Sequence, residues 1–261
     1  MLERLRIDGR AAIVTGAGRG IGAACALALA EAGADLVIAS RTEEQLQSVA
    51  KEIDALGRRV LVVPADVNDN DTVAALVDRC VDSFGRVDII VNNAGGSMPR
   101  PFLDTSPGYL ERAFHFNVTS AFVLSKAAVP HMLERGDGAI VNISSTMGRL
   151  RDRGMLAYGT AKAALSHMTR LMAADLAPKV RVNAISVGSV ATSALQIVLD
   201  DDAIRDEMIR RTPLKRLGEP DDIALAALYL ASPAGSFITG KVFEVDGGIE
   251  EPNLELGLPD L

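Results

Sequence analysis

Ala11-Ala12-Ile13-Val14-Thr15-Gly16-Ala17-Gly18-Arg19-Gly20-Ile21-Gly22 is the stretch on which the reading of this chain turns. Its apolar start predicts a buried strand, Ala11–Thr15, and the small and apolar residues that follow predict a helix, Ile21–Gly33. Four alternate glycines therefore fall on a strand-to-helix turn. Glycine lets the backbone approach a ligand closely, and the unpaired amides at a helix start face outward, where the helix dipole favours a phosphate. In this order of strand, loop and helix, the glycines point to the pyrophosphate cradle of a dinucleotide site; a glycine-rich turn without ligand is the competing reading.

Outward from that turn, β-rich runs alternate with helical ones. Strands are expected at Asp35–Ala39, Val60–Val63, Val87–Val91, Ala139–Ile143, Val180–Ile185 and Lys241–Val245. Between them the spacing predicts helices at Glu43–Gly57, Asp71–Phe84, a long one around Tyr109–Leu133, and Met155–Ala177, then helical material at Ala194–Arg211 and Pro220–Ala231. The strands are almost wholly apolar, which suits a parallel sheet covered on both faces. The expected fold is α/β: a doubly wound, Rossmann-type parallel sheet of seven strands. No Pro/Gly/Ser-rich linker or internal repeat divides the chain, so a single domain over residues 1–261 is expected, with 251–261 a tail.

Composition narrows the class. The chain of 261 residues is 48% hydrophobic, enough for a large core, and its net charge of −7 with scattered basic residues argues against nucleic acid as a partner. The amino terminus lacks the apolar core of an export signal, and no uncharged run approaches the ~18 residues that cross a bilayer. A cytoplasmic protein without a membrane partner is expected. Cys25 and Cys80 have no metal-ligand or CxxC spacing, so reduced buried thiols and no metal site are expected.

The second strand ends in Ala39-Ser40-Arg41-Thr42, where NAD-specific folds place a carboxylate on the ribose 2′-hydroxyl. No carboxylate is offered. Ser40, Arg41 and Arg19 suit a 2′-phosphate, which favours NADP(H); NAD(H) remains open if Arg41 is merely solvated. Asp66, ahead of Val67 at the end of the third strand, is placed to receive an adenine amino group. Asn92-Asn93-Ala94-Gly95 closes the next strand on the same crevice, or is simply a turn.

Tyr158 and Lys162 stand four residues apart in a predicted helix, so they share a face. A phenol titrates near pH ~10 in water and exchanges protons at neutral pH only if a neighbouring cation stabilises its anion; Lys162 is in reach. Ser145, at the end of Ile140-Val141-Asn142-Ile143-Ser144-Ser145, is a hydroxyl placed to donate to a carbonyl oxygen. No G-x-S-x-G elbow surrounds it, and His115, His131 and His167 lie in predicted helices, which disfavours a serine hydrolase.

Taken in order, Thr15-Gly16-xxx-Gly20-x-Gly22, Asn92-Asn93-Ala94-Gly95, Asn117, Ser145, Tyr158-xxx-Lys162, Arg181-Val182-Asn183 and Gly240 to Gly248 resemble the short-chain dehydrogenase/reductase family over essentially the full length. The resemblance implies interconversion of a ketone and a secondary alcohol, with Tyr158 as general acid/base, Lys162 lowering its pKa, Ser145 orienting the carbonyl and Asn117 holding a water. It implies cofactor contacts from Gly16, Arg19, Gly20, Ile21, Gly22, Ser40, Arg41, Asp66, Val67, Asn93, Tyr158, Lys162, Val190 and Thr192, and a homotetramer built on the Tyr158 helix and the last strand. Asn117 rests on the resemblance alone; its residues by themselves suggest a helix-surface or capping Asn. Within the family the chain is similar to bacterial 7α-type hydroxysteroid dehydrogenases and to 3-oxoacyl-carrier-protein reductases. A dinucleotide-sensing regulator on the same fold is the alternative, although both Tyr158 and Lys162 are present.

Three features stay open. Val187 stands where the family usually has proline, which is expected to loosen the following loop. Ser193–Leu199 lies where a lid would cover the substrate, and its apolar content suggests a greasy substrate or a helix packed on its own domain. Arg149, Arg151 and Arg153 are the nearest basic cluster for docking an acyl carrier, and the stretch from Glu250 onward is expected to be a mobile end or an intersubunit arm.

Overall fold

The computed structural model describes residues 1–192, 195 and 200–254. Seven strands, β1 (Ala11–Thr15), β2 (Asp35–Ser40), β3 (Val60–Pro64), β4 (Ile89–Asn92), β5 (Gly138–Ile143), β6 (Val180–Val187) and β7 (Val242–Val245), form one sheet in the order β3-β2-β1-β4-β5-β6-β7. All pairings are parallel, so each connection must cross over, and the helices between strands cover both faces. The order reverses between β1 and β4. In open α/β sheets that reversal opens a crevice at the carboxyl edge, where ligands bind.

On one face α1 (Gly20–Glu31), α2 (Glu43–Ala55) and α8 (Pro220–Ala231) bury Ala26, Leu29, Leu46, Ile53, Ile223 and Leu230 against the sheet. On the other, α3 (Asn70–Phe84), α5 (Ser120–Arg135) and α6 (Leu156–Leu176) bury Val73, Leu76, Leu124, Met132 and Ala173. Residues alternate along each strand, so Ile13 and Ile90 serve the second core while Val14 and Ile89 serve the first. Each fully buried aliphatic chain contributes about 1.5–3 kcal/mol of transfer free energy. Among the described residues no helix is long and apolar enough to cross a membrane, and no group of three or more His, Cys, Asp or Glu is placed to hold a metal ion.

The long helix expected at Tyr109–Leu133 is interrupted. α4 (Pro107–Phe114) runs into a π-helical turn, His115–Thr119, before α5 begins. The cause is local. Asn117 Nδ2 donates to the carbonyl of Ala113 at 2.8 Å, inserting a side chain into the main-chain ladder and widening one turn.

Strand β6 also runs to Val187, two residues beyond the expected end. Val187 is buried in register with Val245, and the Gly188 amide donates to the Val245 carbonyl at 3.1 Å. Val187 thus continues the strand, and part of the following loop that its presence was expected to loosen lies outside the described residues. Of the expected helical material at Ala194–Arg211, the described part is α7 (Asp202–Arg211), capped by Asp201; most of the candidate lid at Ser193–Leu199 lies outside the described residues.

Of the expected tail, residues 255–261 lie outside the described residues, and the part before them is held in place. Ile249 is buried, Arg149 donates to the Ile249 carbonyl at 3.0 Å and to Glu250 at 2.8 Å, and Asn253 is buried among Ser189, Met208 and Thr212. The segment to Asn253 is thus fastened to the sheet edge. Arg149 also pairs with Glu244 and Asp246, which removes it from any acyl-carrier docking cluster.

Candidate active site

Main-chain geometry builds the glycine turn. Gly16 and Gly20 have φ of +64° and +57°, which a side chain would strain. At Gly22 a Cβ would lie 2.2 Å from the Gly16 carbonyl oxygen and 2.5 Å from Asn93 Nδ2. Gly22→Ala is therefore expected to displace the loop, costing about 1–3 kcal/mol of stability by overpacking and most of the nucleotide affinity. A thermal melt with a nucleotide titration checks both; wild-type affinity would show that the cradle is not the binding element.

Asn93 was expected to contact the cofactor. Its side chain fastens the glycine turn: Nδ2 donates to the carbonyls of Thr15 and Gly16 at 3.0 and 3.1 Å. Thr15 Oγ1 accepts from the amides of Asn93 and Ala94, both at 3.1 Å, tying β1 to the loop after β4. That hub was missed as a site residue, although a threonine closing an apolar strand just before the glycines is a legible signal. Thr192 reaches the same turn, since a Cβ on Gly20 would lie 3.4 Å from its Cγ2. Ile21 is half-buried at the start of α1, Val67 and Val190 are buried, and Asp66 is exposed, with Oδ1 accepting from the amide and side chain of Asn68.

At the end of β2, Ser40 Oγ is buried with no hydrogen-bond partner, and a Cβ on Gly18 would fall 2.8 Å from it. Arg19 and Arg41 are exposed beside this end of the crevice. An orphaned hydroxyl, a glycine cradle and cations that make no ion pair among the described residues form a donor set that fits a dinucleotide phosphate.

The proton-handling residues meet at the next two strand ends. Lys162, only 4% exposed, donates from Nζ to the Ile143 carbonyl at 2.8 Å and lies 5.7 Å from the centroid of the Tyr158 ring. Ser145 hydrogen-bonds the Tyr158 side chain, and Ser145 Oγ also accepts from the Met147 amide at 3.2 Å. Asn117, 1% exposed, holds both main-chain polar groups of Gly96: Oδ1 accepts from the Gly96 amide and Nδ2 donates to the Gly96 carbonyl, each at 2.9 Å. A Cβ on Gly95 would sit 2.6 Å from Asn117 Oδ1 and 3.0 Å from Lys162 Nζ, so the missing side chain there lets the two groups converge. Arg112 lines a cavity of about 320 Å³ beside Gly96, with Arg41 on its wall.

The electrostatics depart from expectation. Tyr158 is half-exposed, yet the protein crowding it raises the phenol pKa; the Ser145 hydrogen bond opposes this, and Lys162 has no resolved part in it. Lys162 is itself pushed down to about 8 by burial. Its ammonium faces the Ile143 carbonyl, so in the protein alone it does not supply the expected lowering. The phenol stays protonated at neutral pH.

Beneath the site, Asn92 Nδ2 donates to Asn142 Oδ1 at 2.8 Å and Asn142 Nδ2 to Thr169 Oγ1 at 2.9 Å, a buried polar chain across β4, β5 and α6. Its members satisfy one another, and such networks fix one arrangement of the elements that carry them. His115 lies away from Ser145, with Nε2 at 3.0 Å from the Asn68 carbonyl oxygen.

Residues 16–250 match the family described as Enoyl-(Acyl carrier protein) reductase. Over the full length of both chains the protein is 57% identical to an uncharacterized oxidoreductase of Mycobacterium tuberculosis. It is 41% identical to the 7α-hydroxysteroid dehydrogenase of Escherichia coli, covering 96% of this chain and 98% of that one. Among solved structures, a 7α-hydroxysteroid dehydrogenase complexed with NADH and 7-oxo glycochenodeoxycholic acid superposes with a TM-score of 0.92 at 41% identity, covering 96% and 98% of the two chains. A gluconate 5-dehydrogenase from Burkholderia cenocepacia in complex with NADP and tartrate superposes with a TM-score of 0.89 at 36% identity, covering 95% and 98%.

Proposed function

The chain belongs to the short-chain dehydrogenase/reductase family, oxidoreductases acting on CH–OH groups, and from that premise we propose that it reduces a ketone on an apolar substrate with NADP(H), reversibly. The observation that carries the reading is the convergence of Ser145, Tyr158, Lys162 and Asn117 at one crevice beside the glycine turn. A nicotinamide dinucleotide, when bound, supplies the hydride; the glycine turn, Ser40, Arg41 and Thr192 are the residues that would hold it.

The chain's own part is positioning and proton transfer. Ser145 donates to the carbonyl oxygen and aligns it with the phenol of Tyr158, which is still protonated at neutral pH and gives its proton to that oxygen. Lys162, fixed by the Ile143 carbonyl, holds a positive charge beneath the ring, and Asn117 keeps the Gly95–Gly96 wall in place. Absorbance-monitored NADPH oxidation with a panel of steroid, acyl-thioester and small ketones tests the reading. Nucleotide binding without turnover on any of them would favour a sensing regulator.

Preference for NADP(H) is supported by Ser40 Oγ, orphaned at the end of β2, and by Arg19 and Arg41, which make no ion pair among the described residues. Arg41→Ala is expected to weaken NADPH binding at least tenfold and to leave NADH nearly unchanged, measured by fluorescence titration. Equal loss for both would detach Arg41 from the 2′-phosphate.

A cytoplasmic homotetramer completes the proposal. Leu171 of α6 and Phe122 of α5 are 56% and 44% exposed on one side, and Leu225 of α8 and Phe243 of β7 are 64% and 40% exposed on another, two apolar surfaces for self-association. Sedimentation velocity decides between this assembly and a monomer.

A further inference from the structure

Many arginines of this chain are ion-paired, from Arg6 with Asp8 near the amino terminus to Arg216 with Asp222 at the start of α8. The guanidinium groups of Arg19, Arg41, Arg79, Arg100, Arg112 and Arg151 have neither an ion pair nor a hydrogen bond among the described residues. Arg79 is exposed on α3. The other five sit in segments that follow β1, β2, β4 and β5, over the carboxyl edge where the site lies. In a chain with a net charge of −7, guanidinium groups left without an ion pair at this edge are free to meet an anion.

Arg19 and Arg41 border the proposed nucleotide site, which leaves Arg100, Arg112 and Arg151. Two of these are gathered by one aromatic ring: the guanidinium carbons of Arg100 and Arg112 lie 4.2 and 5.9 Å from the Tyr109 centroid. The ring is itself anchored, since Tyr109 Oη donates to the Met98 carbonyl at 2.7 Å and accepts from Ser97 Oγ at 2.9 Å. Cations held over a π face lose side-chain freedom while their N–H edges stay available. Arg112, Tyr109 and Phe116 line the cavity beside Gly96, the residue that Asn117 grips. Apolar groups flank them, with Met98, Phe102 and Leu103 at 72%, 65% and 77% exposure on the same loop.

We propose that the substrate is an anionic amphiphile: a ketone or secondary alcohol on an apolar body that carries a carboxylate, read by Arg100 and Arg112 on the Tyr109 ring. The inference deepens the reductase reading and rests on it. A guanidinium pairs with a carboxylate through two parallel N–H donors, which gives orientation as well as attraction. Arg41 lines the same cavity, so the test must separate a substrate carboxylate from a cofactor phosphate.

The probes are 4-oxocyclohexanecarboxylate and 4-(4-oxocyclohexyl)benzoate, each against its neutral methyl ester. Their dissociation constants from the enzyme–NADPH complex are read by nicotinamide fluorescence, alongside kcat and KM. Wild-type protein is expected to favour the acid over the ester at least tenfold in one pair or both. Arg100→Ala and Arg112→Ala should each reduce that preference at least fivefold by weakening the acid alone. Arg112→Lys should restore part of it, and Arg79→Ala should leave it unchanged. Acids binding no tighter than esters, or acid and ester weakened equally by the variants, would overturn the inference. So would an Arg112→Ala variant that loses NADPH affinity but not NADH affinity while keeping the acid preference, because Arg112 would then belong to the 2′-phosphate. Failure of every ketone to oxidise NADPH would defeat the reductase reading and leave the acid–ester binding difference to decide this one.

Discussion

Tyr158→Phe is expected to lower turnover by roughly 10²–10⁴-fold while leaving nucleotide affinity within about twofold of wild type. The substitution removes one oxygen from a ring that otherwise stays in place against Lys162. What is lost is the proton donor, which crowding by the protein keeps protonated at neutral pH, and the hydrogen bond to Ser145. The second loss costs about 1 kcal/mol, too little to unfold the protein. Stopped-flow reduction of a turned-over ketone, beside a fluorescence titration of the nucleotide, separates chemistry from binding. Turnover near wild type would rule out the phenol as the acid.

Lys162→Met is expected to make the protein more stable and nearly inactive. The ammonium is buried, and its pKa falls from 10.5 in the free side chain to about 8 in the fold because burial disfavours the charge. Between those values the unfolded chain binds more protons than the native one, so this site's contribution to stability rises with pH across about pH 8–10.5. Below pH 8 both states are protonated and the cost stands in full, about 3 kcal/mol at 1.36 kcal/mol per pH unit. Methionine removes that cost but leaves the Ile143 carbonyl without its donor, a loss of about 1–2 kcal/mol. The net gain at pH 7 is therefore about 1–2 kcal/mol, a rise in Tm of several degrees for a chain of this size. Melting both proteins from pH 7 to pH 10 tests the sign: the advantage of the variant should shrink as pH rises. A variant less stable than wild type at pH 7 would mean that the ammonium is stabilised by its partners, not strained by burial.

These two residues also show how much of the site was legible beforehand. Residues four apart on one helix share a face whatever the helix packs against, so Tyr158 and Lys162 were bound to be neighbours. Which way Lys162 Nζ points was not legible. It depends on the Ile143 carbonyl at the end of β5, nineteen residues away in sequence, brought within 2.8 Å by the packing of α6 on the sheet. Burial by distant elements likewise raised the phenol pKa where the local pair suggested a lowering. Asn117 was the least readable residue: a single Asn in an apolar run gives no sign that it bonds back into its own helix and holds the main chain of Gly96, twenty-one residues away. Arg149 misled for the same reason, its three carboxylate partners lying about a hundred positions downstream.

By itself the sequence determined the alternation of strand and helix, the glycine turn and the neighbours along one helix. These follow from periodicity and backbone freedom, which act over a few residues. Only the tertiary structure decided what meets across the sheet edge: Thr15 with Asn93, Asn117 with Gly96, Asn253 with Ser189 and Thr212, and the two arginines on Tyr109. Such contacts join residues whose separation along the chain carries no periodic signal. Their free energy comes from burial and from satisfying polar groups away from water, and both are set by the packed whole.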